Sequence, residues 1–128
     1  MAVHCEYNSD KKILECVIEE KLTIDVFRST LNMIVNSEEY PPDTNTLWDL
    51  RNFDFSTIDA ETQRQWVDLR KKHPERGKAK MAIVVDSDMN FGKSRMYEMW
   101  SSELPQRMRV FRDYPEALAW LLNDREAS

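Results

Sequence analysis

Polar and apolar positions alternate over residues 3–8 and again over 13–19, where Leu14, Cys16 and Ile18 share one face and Glu15 and Glu19 the other. A period of two is that of a half-buried strand. Ser9-Asp10-Lys11 between the runs predicts a hairpin, although no glycine is there to ease the turn. With Asp10 and Lys11 as a two-residue turn, Val3 faces Ile18, Cys5 faces Cys16 and Tyr7 faces Leu14, all on one side of the pair. The two thiols are expected to be reduced and to act as small buried hydrophobes.

The period then lengthens. Ile24, Phe27, Leu31, Ile34 and Val35 fall three or four apart, behind Thr23 as a cap and before Tyr40-Pro41-Pro42, where a helix cannot continue. Residues 46–50 (Thr-Leu-Trp-Asp-Leu) read as a third strand. Ser56 or Thr57 is expected to open a second helix running to about His73, with a thin face of Ile58, Trp66 and Leu69. Residues 80–85 form the most apolar run and are expected at the centre of the sheet. Asp86-Ser87-Asp88 ends that strand and caps a third helix, whose inner face is predicted to be Gly92, Met96, Met99 and Trp100. A fifth strand covers 107–112. Asp113 and Glu116 have the spacing of a capping box, Pro115 suits the first turn, and Leu118, Leu121 and Leu122 form the predicted inner stripe of a last helix. Trp120 falls off that stripe and is expected to be partly exposed. The order β-β-α-β-α-β-α-β-α predicts an α/β fold: one domain over 1–128, with a mixed, mostly parallel five-stranded sheet and four helices.

Composition narrows the function classes. A formal net charge of −5 in 128 residues argues against a nucleic-acid partner, because neutralising phosphates takes surplus Lys and Arg. The basic stretch from Arg70 to Lys80 is read as a solvated helix end and loop. No apolar run is long enough for a membrane span and no signal-peptide layout is present, so the expected location is cytoplasmic. Two glycines, Gly77 and Gly92, cannot make a Gly-rich phosphate loop.

Candidate chemistry is sparse. His4 and His73 are far apart in the element order, which disfavours histidine-based nucleophilic catalysis. Asp86 and Asp88 could hold a divalent cation if Asp54 or Asp113 joined them, but carboxylates at a helix start are better explained by capping. Asp49 and Arg51 lie two apart on one face, and a carboxylate in mid-strand must find a partner. An ion pair between these two is the favoured reading.

Three segments resemble bacterial SpoIIAA-like proteins of the wider STAS and SEC14-like group: 108–121 (Met-Arg-Val-Phe-Arg-Asp-Tyr-Pro-Glu-Ala-Leu-Ala-Trp-Leu), Leu47-Trp48-Asp49-Leu50-Arg51, and Met81-Ala82-Ile83-Val84-Val85 with the helix after it. The resemblance implies a mixed sheet with packed helices, and a role in regulation, protein contact or small-ligand sensing. In the anti-sigma-factor antagonists of that group, a phosphorylated Ser starts the helix after the third strand. Here the corresponding stretch is Phe53-Asp54-Phe55-Ser56-Thr57-Ile58-Asp59, the acceptor position falls on Ile58, and Ser56 and Thr57 are the nearby hydroxyls. The SEC14 side of the group implies lipid or apolar ligands.

The resulting expectation is a module that is not an enzyme and needs no metal or cofactor, acting through a protein partner or a small apolar or anionic ligand. The oligomeric state stays open, a homodimer among the options. The contact zone is expected at the rim where parallel strands end and helices begin, formed by Asp49, Arg51, Asp54, Ser56, Thr57, Asp86, Ser87 and Asp88. The competing readings are a carrier of lipid or apolar ligand, and a metal-assisted hydrolase or transferase using Asp86 and Asp88.

Overall fold

The computed structural model describes residues 3–123. Strands β1 (Val3–Asn8), β2 (Ile13–Ile18), β3 (Asn45–Asp49), β4 (Lys80–Val84) and β5 (Arg107–Phe111) form one sheet in the order β1-β2-β3-β4-β5. β1 and β2 are antiparallel, and the other neighbouring strands are parallel. Between them come helices α1 (Ile24–Asn36), α2 (Ala60–Lys71) and α3 (Asp88–Trp100), with α4 (Tyr114–Leu122) last. The parallel strands are added one after another in one direction. Crossovers of a single hand that step one way must leave their helices on one face. Accordingly α1, α2 and α3 share a core with Leu14, Cys16, Ile18, Trp48, Met81, Ile83 and Val110. α4 alone covers the opposite face, where Ala117, Trp120 and Leu121 meet Ile13, Leu47, Ala82, Val84 and Phe111.

The hairpin register is Val3–Ile18, Cys5–Cys16, Tyr7–Leu14, as the alternation predicts. The turn is wider than expected: pairing ends at Asn8–Ile13, leaving Ser9 to Lys12 as the loop, with Lys12 at φ 56°. Losing one pair symmetrically changes the loop without shifting the register.

Several local expectations are corrected. β4 is interior, but β3 holds the middle of the sheet. α2 begins behind Asp59, which accepts from the Thr62 amide, and not at Ser56 or Thr57. Its inner face is also broader than predicted, with Gln63, Trp66, Val67, Leu69 and Arg70 all buried. On α3 the buried residues are Ser94 and Tyr97, while Met96 and Met99 are 47% and 69% exposed. Trp120 is buried and Leu122 exposed, so the inner stripe of α4 is shifted from the leucine pattern. Asp113 is the N-cap of α4 without a side-chain capping bond, so the capping box does not form.

The basic stretch is solvated only in part: Lys71, Lys72 and Lys78 are exposed. Arg70, Arg76 and Lys80 are buried. Arg76 donates to the carbonyls of Pro42 (2.7 Å) and Thr44 (2.8 Å) and to Thr46 Oγ1 (3.3 Å). Lys80 Nζ donates to the carbonyls of Trp120 (3.0 Å) and Asn123 (2.8 Å). These cations lie at the amino ends of β3 and β4, where Arg76 satisfies carbonyls of the chain entering β3 and Lys80 satisfies carbonyls at the C-terminal end of α4. Burial lowers the guanidinium pKa of Arg76 to about 10.

Candidate functional site

At the carboxyl rim, Asp49 ends β3 and is buried. It accepts from the Arg51 amide (3.1 Å), from Arg51 Nε (2.9 Å) and from a terminal guanidinium nitrogen (2.8 Å). These bonds outweigh burial and hold the Asp49 carboxyl below its ordinary pKa. The Arg51 guanidinium also sits 5.3 Å from the centre of the Tyr114 ring, and the Tyr114 hydroxyl donates to Glu15 (2.8 Å). Burial first, then the Glu15 carboxylate, pushes the Tyr114 phenol up to about 12. The result is a closed chain of partners: Asp49, Arg51, Tyr114, Glu15.

The remaining rim residues fall into separate groups. Ser87 caps α3 by accepting from the Asn90 amide (3.1 Å). Asp88 pairs with Arg112, which also donates to the Asp86 carbonyl (3.3 Å). Among the described residues, no three His, Cys, Asp or Glu side chains gather into a group suited to a metal ion. Asp54 accepts from the Ser56 amide (2.9 Å), and the hydroxyl and amide of Ser56 lower its carboxyl pKa. Ser56 and Thr57 are exposed on the loop ahead of α2. Strand order contains no reversal, so the rim lacks the crevice that a reversal opens.

A different space lies inward of the same loop. Phe53, Phe55 and Ile58 turn into the core while Ser56 and Thr57 turn out. With Phe27, Trp66 and Tyr97 they line an apolar cavity of about 50 Å³ between the sheet and the three-helix layer. The aromatic packing is close: Phe53–Phe55 ring centres are 4.8 Å apart, Phe27–Trp66 5.8 Å and Trp66–Tyr97 5.7 Å. Two polar side chains, Gln63 from α2 and Ser94 from α3, complete the lining. Both are 3% exposed, and neither Gln63 Oε1 nor Ser94 Oγ has a hydrogen-bond partner.

The Gln63 amide orientation is fixed by its other end. Nε2 donates to the Lys93 carbonyl (2.9 Å), and the amide oxygen could not take that place opposite another acceptor. Lys93 Nζ in turn donates to the Phe55 carbonyl (2.7 Å). α2, α3 and the loop are thus tied around the cavity, and two residues of its lining each keep one polar atom without a partner. A buried polar atom left unpaired costs roughly 1–3 kcal/mol. Two beside one cavity are what a polar group of a ligand would satisfy.

The periodic reading passed over both residues. Gln63 is polar and gives no apolar signal, although it lies three and four before Trp66 and Val67. Ser94 lies three before Tyr97, on the face that the methionines were expected to take.

No protein-family model matches the chain, and no curated protein matches it. Among solved structures, it is similar to an uncharacterized protein of the DUF3478 family with a SpoIIAA-like fold from Shewanella loihica PV-4. The TM-score is 0.64 at 21% identity, over 94% of this chain and 92% of the other. The chain therefore has a SpoIIAA-like fold. Among the described residues, no helix is long and apolar enough to cross a membrane.

Proposed function

We propose that this SpoIIAA-like domain is a non-catalytic ligand-binding module, and that its ligand is a compact neutral molecule with an apolar body and one polar group. The observation that carries the reading is the pair of unpartnered atoms, Gln63 Oε1 and Ser94 Oγ, in an otherwise apolar cavity. Gln63 Oε1 accepts a hydrogen bond and Ser94 can donate or accept, so an alcohol or primary amide matches both. An ionised ligand is disfavoured, because the lining supplies no charged side chain to repay its desolvation. Hydroxyl, amide and aromatic groups hold a molecule rather than turn it over, which favours sensing or carriage over hydrolysis at Asp86 and Asp88. Size sets the ligand class. A ring needs a cavity on the order of 150 Å³, so the present space takes a short chain or a branched head, and a longer ligand would have to displace the Phe53–Phe55 loop.

The reading is tested by thermal unfolding against a series of short linear primary alcohols, amides and carboxylates. Alcohols and amides are expected to raise Tm with concentration, since a ligand bound to the native state stabilises it. The carboxylates of the same length should not. Ser94→Ala should weaken the response severalfold. Equal shifts from all three classes, or none from any, would remove the polar pair from the site.

A further inference from the structure

We propose that Cys5 and Cys16 are a redox site that reacts with a low-molecular-weight disulfide of the glutathione type and closes into a disulfide joining β1 to β2. The two residues face each other in the antiparallel ladder, and their sulfurs are 2.7 Å apart. Facing residues of such a ladder have Cα atoms about 4.5–5.5 Å apart, inside the range a disulfide spans. Closure therefore requires no shift of register.

The two thiols differ in access. Cys5 lies on the edge strand and is half-buried, whereas Cys16 has no exposed surface. Of the two, only Cys5 offers surface to an incoming disulfide. Their acidities differ in the same sense. The hydrogen bond with Cys16 lowers the Cys5 thiol, while burial raises Cys16 well above the ordinary value. Cys5 is thus the attacking thiolate and Cys16 the resolving thiol. The Arg76 guanidinium, held on carbonyls rather than on a carboxylate, partly offsets the burial of Cys16 by favouring its ionised form.

The chemistry balances in two steps. Cys5 Sγ, having given up its proton, attacks one sulfur of the oxidised glutathione. A Cys5–glutathione disulfide forms, the original S–S bond breaks, and one glutathione thiolate leaves and takes up a proton. Cys16 Sγ then attacks the Cys5 sulfur, the mixed disulfide breaks, and the second glutathione leaves with the proton from Cys16. Two protein thiols are oxidised and one oxidised glutathione becomes two reduced ones. This second step is intramolecular between sulfurs already in contact, so the mixed disulfide should be short-lived.

The full-length protein is exposed to oxidised glutathione, quenched with acid and weighed intact, with peptide mapping afterwards. The expected result is the loss of both titratable thiols, a product two hydrogens lighter, and a peptide linked through Cys5 and Cys16. Cys16→Ser is expected to keep one glutathione on Cys5, and Cys5→Ser to stay unmodified while folded. A wild-type chain that retains glutathione on Cys5, a disulfide-linked dimer, or two thiols still free under conditions that modify Cys16→Ser would each overturn the site. So would rapid native modification of Cys16 in Cys5→Ser. The wild-type result decides alone if either serine variant fails to fold.

Discussion

Asp49 occupies the end of a middle strand, where a carboxylate is tolerable because the chain supplies a partner two residues later. Arg51 gives it three hydrogen bonds, one from the backbone and two from the side chain. The spacing made this pair legible, since residues two apart on extended chain share a side. Tyr114 and Glu15 were not legible as the next members, because the contact joins two parts of the chain 99 residues apart. The pair carries a pH dependence whose sign follows from the lowered Asp49 pKa. A carboxyl with a native pKa below its unfolded value binds fewer protons when folded, so its stabilisation is complete above the unfolded pKa, near 4. It is lost as pH falls through the lower native value. The side chain of Arg51 is 45% exposed, which screens the pair and keeps its worth modest. Asp49→Asn is expected to cost about 1–2 kcal/mol at neutral pH. Urea unfolding of the two proteins should show that gap closing as pH falls through the native Asp49 pKa. A gap that persists unchanged in acid would assign the loss to packing instead of charge.

At the scale of elements, the periodic patterns found the five strands and four α-helices of the described residues but misplaced two inner faces and one start. The start of α2 is instructive. Ser56 and Thr57 are good capping residues, yet Phe53, Phe55 and Ile58 are drawn into the core, and burying all three holds 53–58 in an irregular path. The helix can begin only after that path ends, at Asp59, whose carboxylate meets the Thr62 amide at 2.8 Å. Local capping preference lost to tertiary burial, which is worth more per residue. The face of α3 was misread for a related reason: methionine is apolar and flexible and suits a core, but here Met89, Met96 and Met99 stay largely in water. Asp59→Ala should destabilise the protein by about 1 kcal/mol. Ser56→Ala should change it by less than about 0.5 kcal/mol, as its role toward Asp54 includes a backbone amide the substitution leaves in place. Equilibrium denaturation of both variants checks the order; the reverse order would put the helix start back at Ser56.

Over the whole molecule, buried polar groups differ in how fully they are paired. Where β3 and β4 begin, Arg76 and Lys80 are buried and donate to backbone carbonyls. Toward the carboxyl ends, under the 53–58 loop, Gln63 Oε1 and Ser94 Oγ are buried and unmatched. The architecture was legible in the sequence because strand and helix periods alternate cleanly. The cavity was not, since Phe27, Phe53, Gln63 and Ser94 come from four separate segments that only the fold brings together. Unmatched buried atoms oppose folding, so a site that keeps them trades stability for recognition. Ser94→Ala removes a hydroxyl that has no partner and leaves the helix backbone and the apolar lining untouched, with alanine the better helix former. The ligand-free variant is therefore expected to be more stable than the wild type by about 1 kcal/mol, seen as a higher Tm and a higher urea midpoint with an unchanged slope. The same substitution should reduce the stabilisation obtained from the short alcohols. A variant less stable than the wild type without ligand would mean that Ser94 is satisfied within the protein, and the trade between stability and binding would not exist at this position.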